Sequence, residues 1–320
     1  MNILAVSTTG MGDSLLATPG LSLLRRSFGN AHITLLTHKR WKDLFAYNPH
    51  INQCFGYSNN GLMRLYLRMR LARYWDYIVV FHANGSEYLL LKKLNFGKLV
   101  NNQGVSDVSK NIYAIDVGFD MHAVDRRSAV ARAIGANAVS PKRLELFLND
   151  SQIPPIKPPW RILLQPAAAN LFKMWPVENF AKLVGMLDNQ YRAEFFVVGG
   201  PKDFKLYDAI AKSNPKAKVH NATGNSLMQS CKLIAGANLF ITNDTGPMHI
   251  SHALDRPTIS LWCMTDSDKI GPYNREEYFK CIQVKPVGDI AKHKDDRTND
   301  GMRQISVEQV FAESCKLLPR

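Results

Sequence analysis

The chain has 320 residues, 46% of them apolar and 21% charged, which is the balance of a folded globular protein with enough material for two domains. Its 40 lysines and arginines outnumber 27 acids for a net charge of +13, which points to a polyanionic partner: nucleic acid, an anionic membrane surface or a phosphorylated substrate. Five scattered cysteines (Cys54, Cys231, Cys263, Cys281 and Cys315) with no CxxC pair argue against a disulfide framework or a structural zinc site and fit a reducing compartment.

The first apolar run, ILAVS, is too short for a signal-peptide core and reads as a strand. SLLATPGLSLLRRSF then has helical spacing, HITLLTH is a second strand, and a helix is expected around Trp41–Tyr47. The basic segment GLMRLYLRMRLARYW (61–75) reads as an amphipathic helix leading into the strand DYIVVFH, and LELFL (144–148) as the last strand of this half. SQIPPIKPPW (151–160) breaks the pattern with its prolines and is the expected linker. Beyond it the alternation restarts: RILLQP, a helix from Val177, AEFFVVGG, a helix from Asp203, KVHNAT, a helix over 226–235, LFITND, a helix from Pro247, and PTISLW. KHKDDRTND (292–300) reads as a solvated loop, and Ser306–Leu317 as a closing helix that packs back on the N-terminal half. The expected domains are 1–152 and 153–320, both α/β with parallel sheets, with a ligand cleft at the C-terminal edges of the strands.

Three motifs carry chemistry. In STTGMGDSLLATPG (7–20), Gly10 and Gly12 shape a turn, but no third glycine follows at Leu15 and no GK[ST] appears, so neither a dinucleotide fingerprint nor a P-loop is formed. Asp13 stands where the turn becomes a helix. It could cap that helix, disfavour phosphate there, or act as a general base. In QPAAANLFKMWPVENF, Lys173 precedes Trp175-Pro176 at a helix mouth, either as a phosphate contact or as an ordinary surface lysine. In ITNDTGPMHISHAL, Asp244-Thr245-Gly246 turns a strand into a helix whose free N–H groups suit an anion, with Asp244 as the expected N-cap and His249 in the first turn. Asp266-x-Asp268 reads as a turn rather than a metal-binding DxD.

Taken together, GMGDSLLATPGLSLLRRSF, NPHI (48–51), KMWPVENFAKLV, VVGGPKD, NDTGPMHISHALDRPTISLW and TDSDKIGPYN, in this order, resemble glycosyltransferase family 9, the bacterial heptosyltransferases of lipopolysaccharide core assembly. The resemblance implies a GT-B fold of two Rossmann-like domains, with the acceptor on the first and the nucleotide-sugar on the second. It implies an inverting transfer from ADP-heptose to a phosphorylated lipopolysaccharide core acceptor, with no metal or other cofactor in the chemical step. Asp13 would then be the base that activates the acceptor hydroxyl, and Lys173 the cation that meets the leaving diphosphate. Gly12, Asp203, Asn225, Asp244, Thr245, Gly246, Met248 and His249 would complete the donor site. Arg64, Arg68 and Arg70 would contact the acceptor's phosphates. The chain departs from the family in placing Lys202 ahead of Asp203 after the GGP turn, where an acid meets the nucleotide ribose, and in having only Cys281 ahead of GMRQISVEQV (301–310) where many relatives have several cysteines.

The implied setting is cytoplasmic, with the basic helix suited to a peripheral contact on the inner face of the inner membrane. Two rival readings remain at this stage: a GT-B transferase using another nucleotide-sugar such as a UDP-hexose, and a non-catalytic polyanion-binding protein. A nucleic-acid partner is not expected from the family resemblance.

Overall fold

The structure is a computed structural model that describes residues 1–118, 120–149, 153, 156, 159–274, 277–285 and 298–318. The chain divides into two compact units, Met1–Phe147 and Leu148–Arg320. Most of the proline-rich stretch 151–160, and most of the stretch 292–300 expected as a solvated loop, lie outside the described residues.

In the first unit, strands β1 (Asn2–Ser7), β2 (His32–His38), β3 (Gln53–Tyr57), β4 (Tyr74–His82), β5 (Asn95–Asn101) and β6 (Ile112–Ala114) pair in parallel, in the order β3-β2-β1-β4-β5-β6. Helices α1 (Met11–Leu16), α2 (Thr18–Ser27), α3 (Gly61–Arg70), α4 (Tyr88–Leu91) and α5 (Ala123–Arg132) connect them. Ile3, Leu4, Ala5 and Val6 are all fully buried, as expected of a central parallel strand covered on both faces. The helical spacing of 14–28 resolves into α1 and α2, divided at Ala17 because Pro19 is tolerated only in a first turn.

Three expectations for this unit are corrected. LELFL forms no strand: the Glu145 N–H donates to Thr18 Oγ1 (3.0 Å) instead of to a neighbouring chain, and Leu144 and Leu146 are buried as single side chains. The helix around Trp41–Tyr47 is only a 3₁₀ turn, Lys42–Phe45. The basic helix stops at Arg70, because Tyr74 and Trp75 already belong to β4, where Trp75 is buried and its Nε1–H donates to Leu71 O (3.0 Å).

The second unit repeats the plan. Strands β7 (Arg161–Gln165), β8 (Glu194–Gly199), β9 (Lys218–Thr223), β10 (Leu239–Asn243), β11 (Thr258–Trp262) and β12 (Phe279–Gln283) are parallel, in the order β12-β11-β10-β7-β8-β9. They are joined by α6 (Val177–Tyr191), α7 (Phe204–Ser213), α8 (Leu227–Ala235), α9 (Gly246–Ala253), α10 (Ser267–Ile270), α11 (Asp300–Arg303) and α12 (Val307–Leu317). The closing helix α12 packs beside α6, with Val307 and Val310 in the core of this second unit. Its apolar face is therefore used within its own unit.

Counted within each unit, both sheets have strand order 3-2-1-4-5-6. In such a sheet the chain leaves its first and fourth strands in opposite directions and opens a crevice at their C-terminal ends, where ligands bind. That crevice falls after β1 and β4 in one unit and after β7 and β10 in the other. No helix among the described residues is long and apolar enough to cross a membrane.

Candidate active site

The crevice of the first unit holds Asp13. The turn after β1 is tied down from several sides: Thr8 N–H donates to His82 O (3.0 Å), Thr8 Oγ1 to the buried Glu87 (2.7 Å), and Trp41 Nε1 to Thr9 O (3.0 Å). Gly10 is the N-cap of α1, and a Cβ there would stand 3.1 Å from Asp13 Oδ2, so the glycine leaves room for the carboxylate. Asp13 Oδ1 accepts from Arg127 Nη2 (2.8 Å), and Oδ2 accepts from Thr9 Oγ1 (3.0 Å). Thr9 Oγ1 also lies 2.7 Å from His82 Nδ1.

The electrostatics of this cluster are asymmetric. Arg127 is 3% exposed whereas Asp13 is 35% exposed, so a buried cation holds a carboxylate that still reaches solvent. Burial pulls the Arg127 guanidinium down to about 10, against the raising effect of Asp13, and it stays protonated at neutral pH. Burial also lowers His82, with Asp13 opposing and Arg127 and Arg126 adding to the shift. His82 is therefore neutral near pH 7. Because the Thr9 hydroxyl proton points to the carboxylate, its oxygen accepts from His82 Nδ1–H, which leaves the Nε2 lone pair of His82 open. His82, Arg126, Arg127 and Asp116 line a cavity of about 610 Å³ between the ends of β4, β5 and β6. Asp13 is thus a carboxylate oriented by Arg127 and Thr9 that keeps part of its surface in solvent.

The second unit's crevice holds Lys173, placed by the KMWP motif. Trp175 is buried, with its ring edge-on to Phe180 at 4.9 Å and its Nε1–H donated to Ile305 O (2.9 Å). Its backbone N–H donates to Asn243 Oδ1 (3.0 Å), while Asn243 Nδ2 donates to Pro166 O (2.9 Å) and Gln165 O (3.3 Å). The fully buried Asn243 thus brackets the loops after β7 and β10 together. From this anchor Lys173 Nζ reaches Asp244 Oδ2 (2.5 Å) and Thr265 Oγ1 (3.5 Å), and Thr265 Oγ1 also donates to Asp244. Among the described residues these two acceptors take two of the three N–H donors of the ammonium.

Asp244 is not the N-cap expected of it. Thr245 occupies that position of α9, without a side-chain cap bond, because the Asp244 carboxylate is turned aside to Lys173 and Thr265. The mouth of α9 therefore keeps its N–H dipoles without a capping carboxylate from Asp244 in front of them.

Lys173, Asp203, Asp244, Thr245 and Gly246 line one cavity of about 420 Å³. Asp203 folds back so that Oδ2 accepts from Gly200 N–H (2.7 Å); a Cβ on Gly199 would meet that oxygen at 2.7 Å, so the GGP turn requires its first glycine. Other residues of the expected donor set stand apart from this cavity. Met248 and His249 are buried beneath it in α9, Asn225 is exposed on the loop ahead of α8, and Gly12 sits beside Asp13 in the first unit. Asp266 accepts from Asp268 N–H (3.0 Å), which makes the DxD a helix-capping turn.

The three arginines expected to meet the acceptor divide. Arg64 and Arg68 line a shallow cavity of about 330 Å³ with Leu65, Leu89 and Lys93. Arg70 lies on another side of α3, with its guanidinium 5.7 Å over the Phe55 ring. Sequence reasoning missed Arg127, His82, Thr9, Asn243 and Thr265; only the adjacent arginines at 126–127, inside an Ala/Val helix, signalled that one of them would turn inward.

The sequence profile of Glycosyltransferase family 9 (heptosyltransferase) matches residues 106–295. Lipopolysaccharide heptosyltransferase 3 of Escherichia coli K12 is 24% identical over 342 aligned positions, covering 96% of this chain and 95% of that protein. The solved structure of E. coli heptosyltransferase WaaC with ADP superposes with a TM-score of 0.81 at 17% identity, covering 99% and 100% of the two chains. The same enzyme with ADP-2-deoxy-2-fluoro heptose gives a TM-score of 0.77 at 18% identity, covering 98% and 99%. The two-sheet architecture is thus that of the GT-B heptosyltransferases, and the chain, a glycosyltransferase, belongs to glycosyltransferase family 9.

Proposed function

We propose that the protein transfers a heptose from ADP-heptose to a phosphorylated lipopolysaccharide core acceptor in the cytoplasm, with inversion at the anomeric carbon. The observation that carries this reading is the pair of crevices at equivalent switch points, one presenting an oriented carboxylate and the other a lysine beside an uncapped helix mouth. In the proposed step the acceptor hydroxyl oxygen bonds to the anomeric carbon, and Asp13 takes the hydroxyl proton. The bond from that carbon to the diphosphate breaks, and ADP leaves with both electrons. A carboxylate suits the task because the transition state is oxocarbenium-like and positive.

The departing charge is met by Lys173 and the N-terminus of α9 rather than by a metal ion. Since Asp244 already balances the lysine, its part in this reading is to aim the ammonium, while the helix mouth supplies much of the attraction. In this reading Asp203 meets the nucleotide ribose, Thr245 and Gly246 offer backbone donors, and Met248 and His249 support the turn that carries them. Asn225 is proposed to join the donor site from outside this cavity.

The test is Asp13→Asn, with the nucleotide-sugar and core oligosaccharide acceptors supplied and products read by mass spectrometry. Transfer should be lost while ADP still raises the thermal midpoint as in the parent protein. Normal turnover by the Asn variant would remove Asp13 from the base role, and stronger stabilisation by UDP than by ADP would remove ADP-heptose as donor.

A further inference from the structure

Helix α3 carries a second apolar stripe on the side opposite its buried face. Leu67 packs inward with Leu71 at the helix end and Met63 alongside. Leu62, Leu65, Tyr66 and Met69, at i, i+3, i+4 and i+7, face solvent with relative exposures of 84%, 56%, 47% and 65%. At 100° per residue, Arg64 and Arg68 fall on one flank of this stripe and Arg70 on the other. Leu89, 59% exposed at the start of α4, continues the apolar surface across the shallow cavity that Arg64, Arg68 and Lys93 also line. From Ser58 to Trp75 the sequence has arginines at 64, 68, 70 and 73 and no aspartate or glutamate.

An exposed apolar stripe bracketed by cations on both flanks matches a bilayer interface, where acyl chains receive the stripe and lipid phosphates receive the guanidinium groups. A protein partner would need matching acids placed on both flanks, whereas an anionic leaflet supplies negative charge in every direction. We propose that α3, with Leu89 and Lys93 of the adjoining segment, is the surface by which the protein docks on an anionic phospholipid membrane. This goes beyond the catalytic proposal and does not depend on it. α3 begins just after β3, at the strand ends where Asp13 also stands, so the docking surface adjoins the edge of the sheet that carries the carboxylate.

The experiment is flotation of the full chain with vesicles of phosphatidylcholine alone or mixed with phosphatidylglycerol, neither containing lipopolysaccharide lipids. The protein should float with the mixed vesicles only, and added salt should release part of it. Leu62→Ser/Leu65→Ser/Met69→Ser should weaken partitioning about tenfold or more. Arg64→Gln/Arg68→Gln should weaken it about 25-fold, since each basic residue near anionic lipid contributes about fivefold. Both variants should keep the parent thermal midpoint and the ADP-induced shift, which shows that they fold. The proposal is overturned if the parent chain stays with the unfloated fraction, or if the serine variant floats as well as the parent. It is also overturned if flotation requires lipopolysaccharide lipids in the vesicles, or if the stripe proves to hold a dimer that the serine variant abolishes.

Discussion

Asn243→Ala removes the side chain that brackets the two loops of the second unit's crevice. In the native unit the amide accepts from Trp175 N–H at 3.0 Å and donates to Pro166 O at 2.9 Å and Gln165 O at 3.3 Å, all at fully buried distance from water. The first two bonds are short, and each partner left unpaired costs about 1–3 kcal/mol. A loss of about 4 kcal/mol follows, which for a unit of this size lowers the midpoint by about 8–16 °C. The functional consequence is separate: with Trp175 N–H released, the turn carrying Lys173 loses its register with Asp244, and ADP affinity should fall. Calorimetry of unfolding and titration with ADP measure the two effects. Trp175→Phe is the control, because it orphans Ile305 O and loses stability while the backbone bond to Asn243 persists, so its ADP affinity should stay near the parent's. A stability loss below about 1 kcal/mol, far less than two orphaned groups require, or unchanged ADP binding by Asn243→Ala, would refute the bracket argument.

Gly10→Ala should reduce turnover and leave the thermal midpoint nearly unchanged, since the backbone there (φ −65°, ψ 162°) accepts alanine while the new Cβ crowds Asp13 Oδ2 at 3.1 Å; steady-state rates and a melting curve check this. His252 is buried against Phe279 and is held well below its ordinary range by burial, so the folded state keeps it neutral while the unfolded chain takes up a proton near pH 6.5. Stability should therefore fall as pH drops below about 6.5, and His252→Leu should flatten that slope in a pH series of denaturant midpoints. Arg127→Leu should lower kcat with little effect on ADP binding, because it frees the Asp13 carboxylate from its buried partner; a matched fall in ADP affinity, read by titration, would contradict the division of the site.

The central strands were legible because parallel strands covered on both faces are unbroken apolar runs, as in ILAVS and LFITN. β3, β6 and β12 were not, since they lie at sheet edges and are short or mixed in burial, and β5 is interrupted by Gly97 and Lys98. LELFL shows the opposite error: an apolar pattern marks burial, but a strand also needs a partner for its N–H groups. In the two crevices, Asp13 and Lys173 stood out in the sequence because each lies beside a local turn signal. Their partners could not. Arg127 reaches Asp13 from α5, and Asn243 reaches Trp175 from β10, so only the sheet order brings them together. The N-cap assigned to Asp244 failed for the same reason, because Lys173 and Thr265 compete for its carboxylate from other loops.

The shared strand order has an evolutionary consequence. Each half builds its pocket from loops of its own sheet, and the residues that hold Asp13 include none of those that hold Lys173. Substitutions that reshape one crevice can therefore accumulate without touching the residues that shape the other, so under the proposed division of labour each lobe is free to diversify separately.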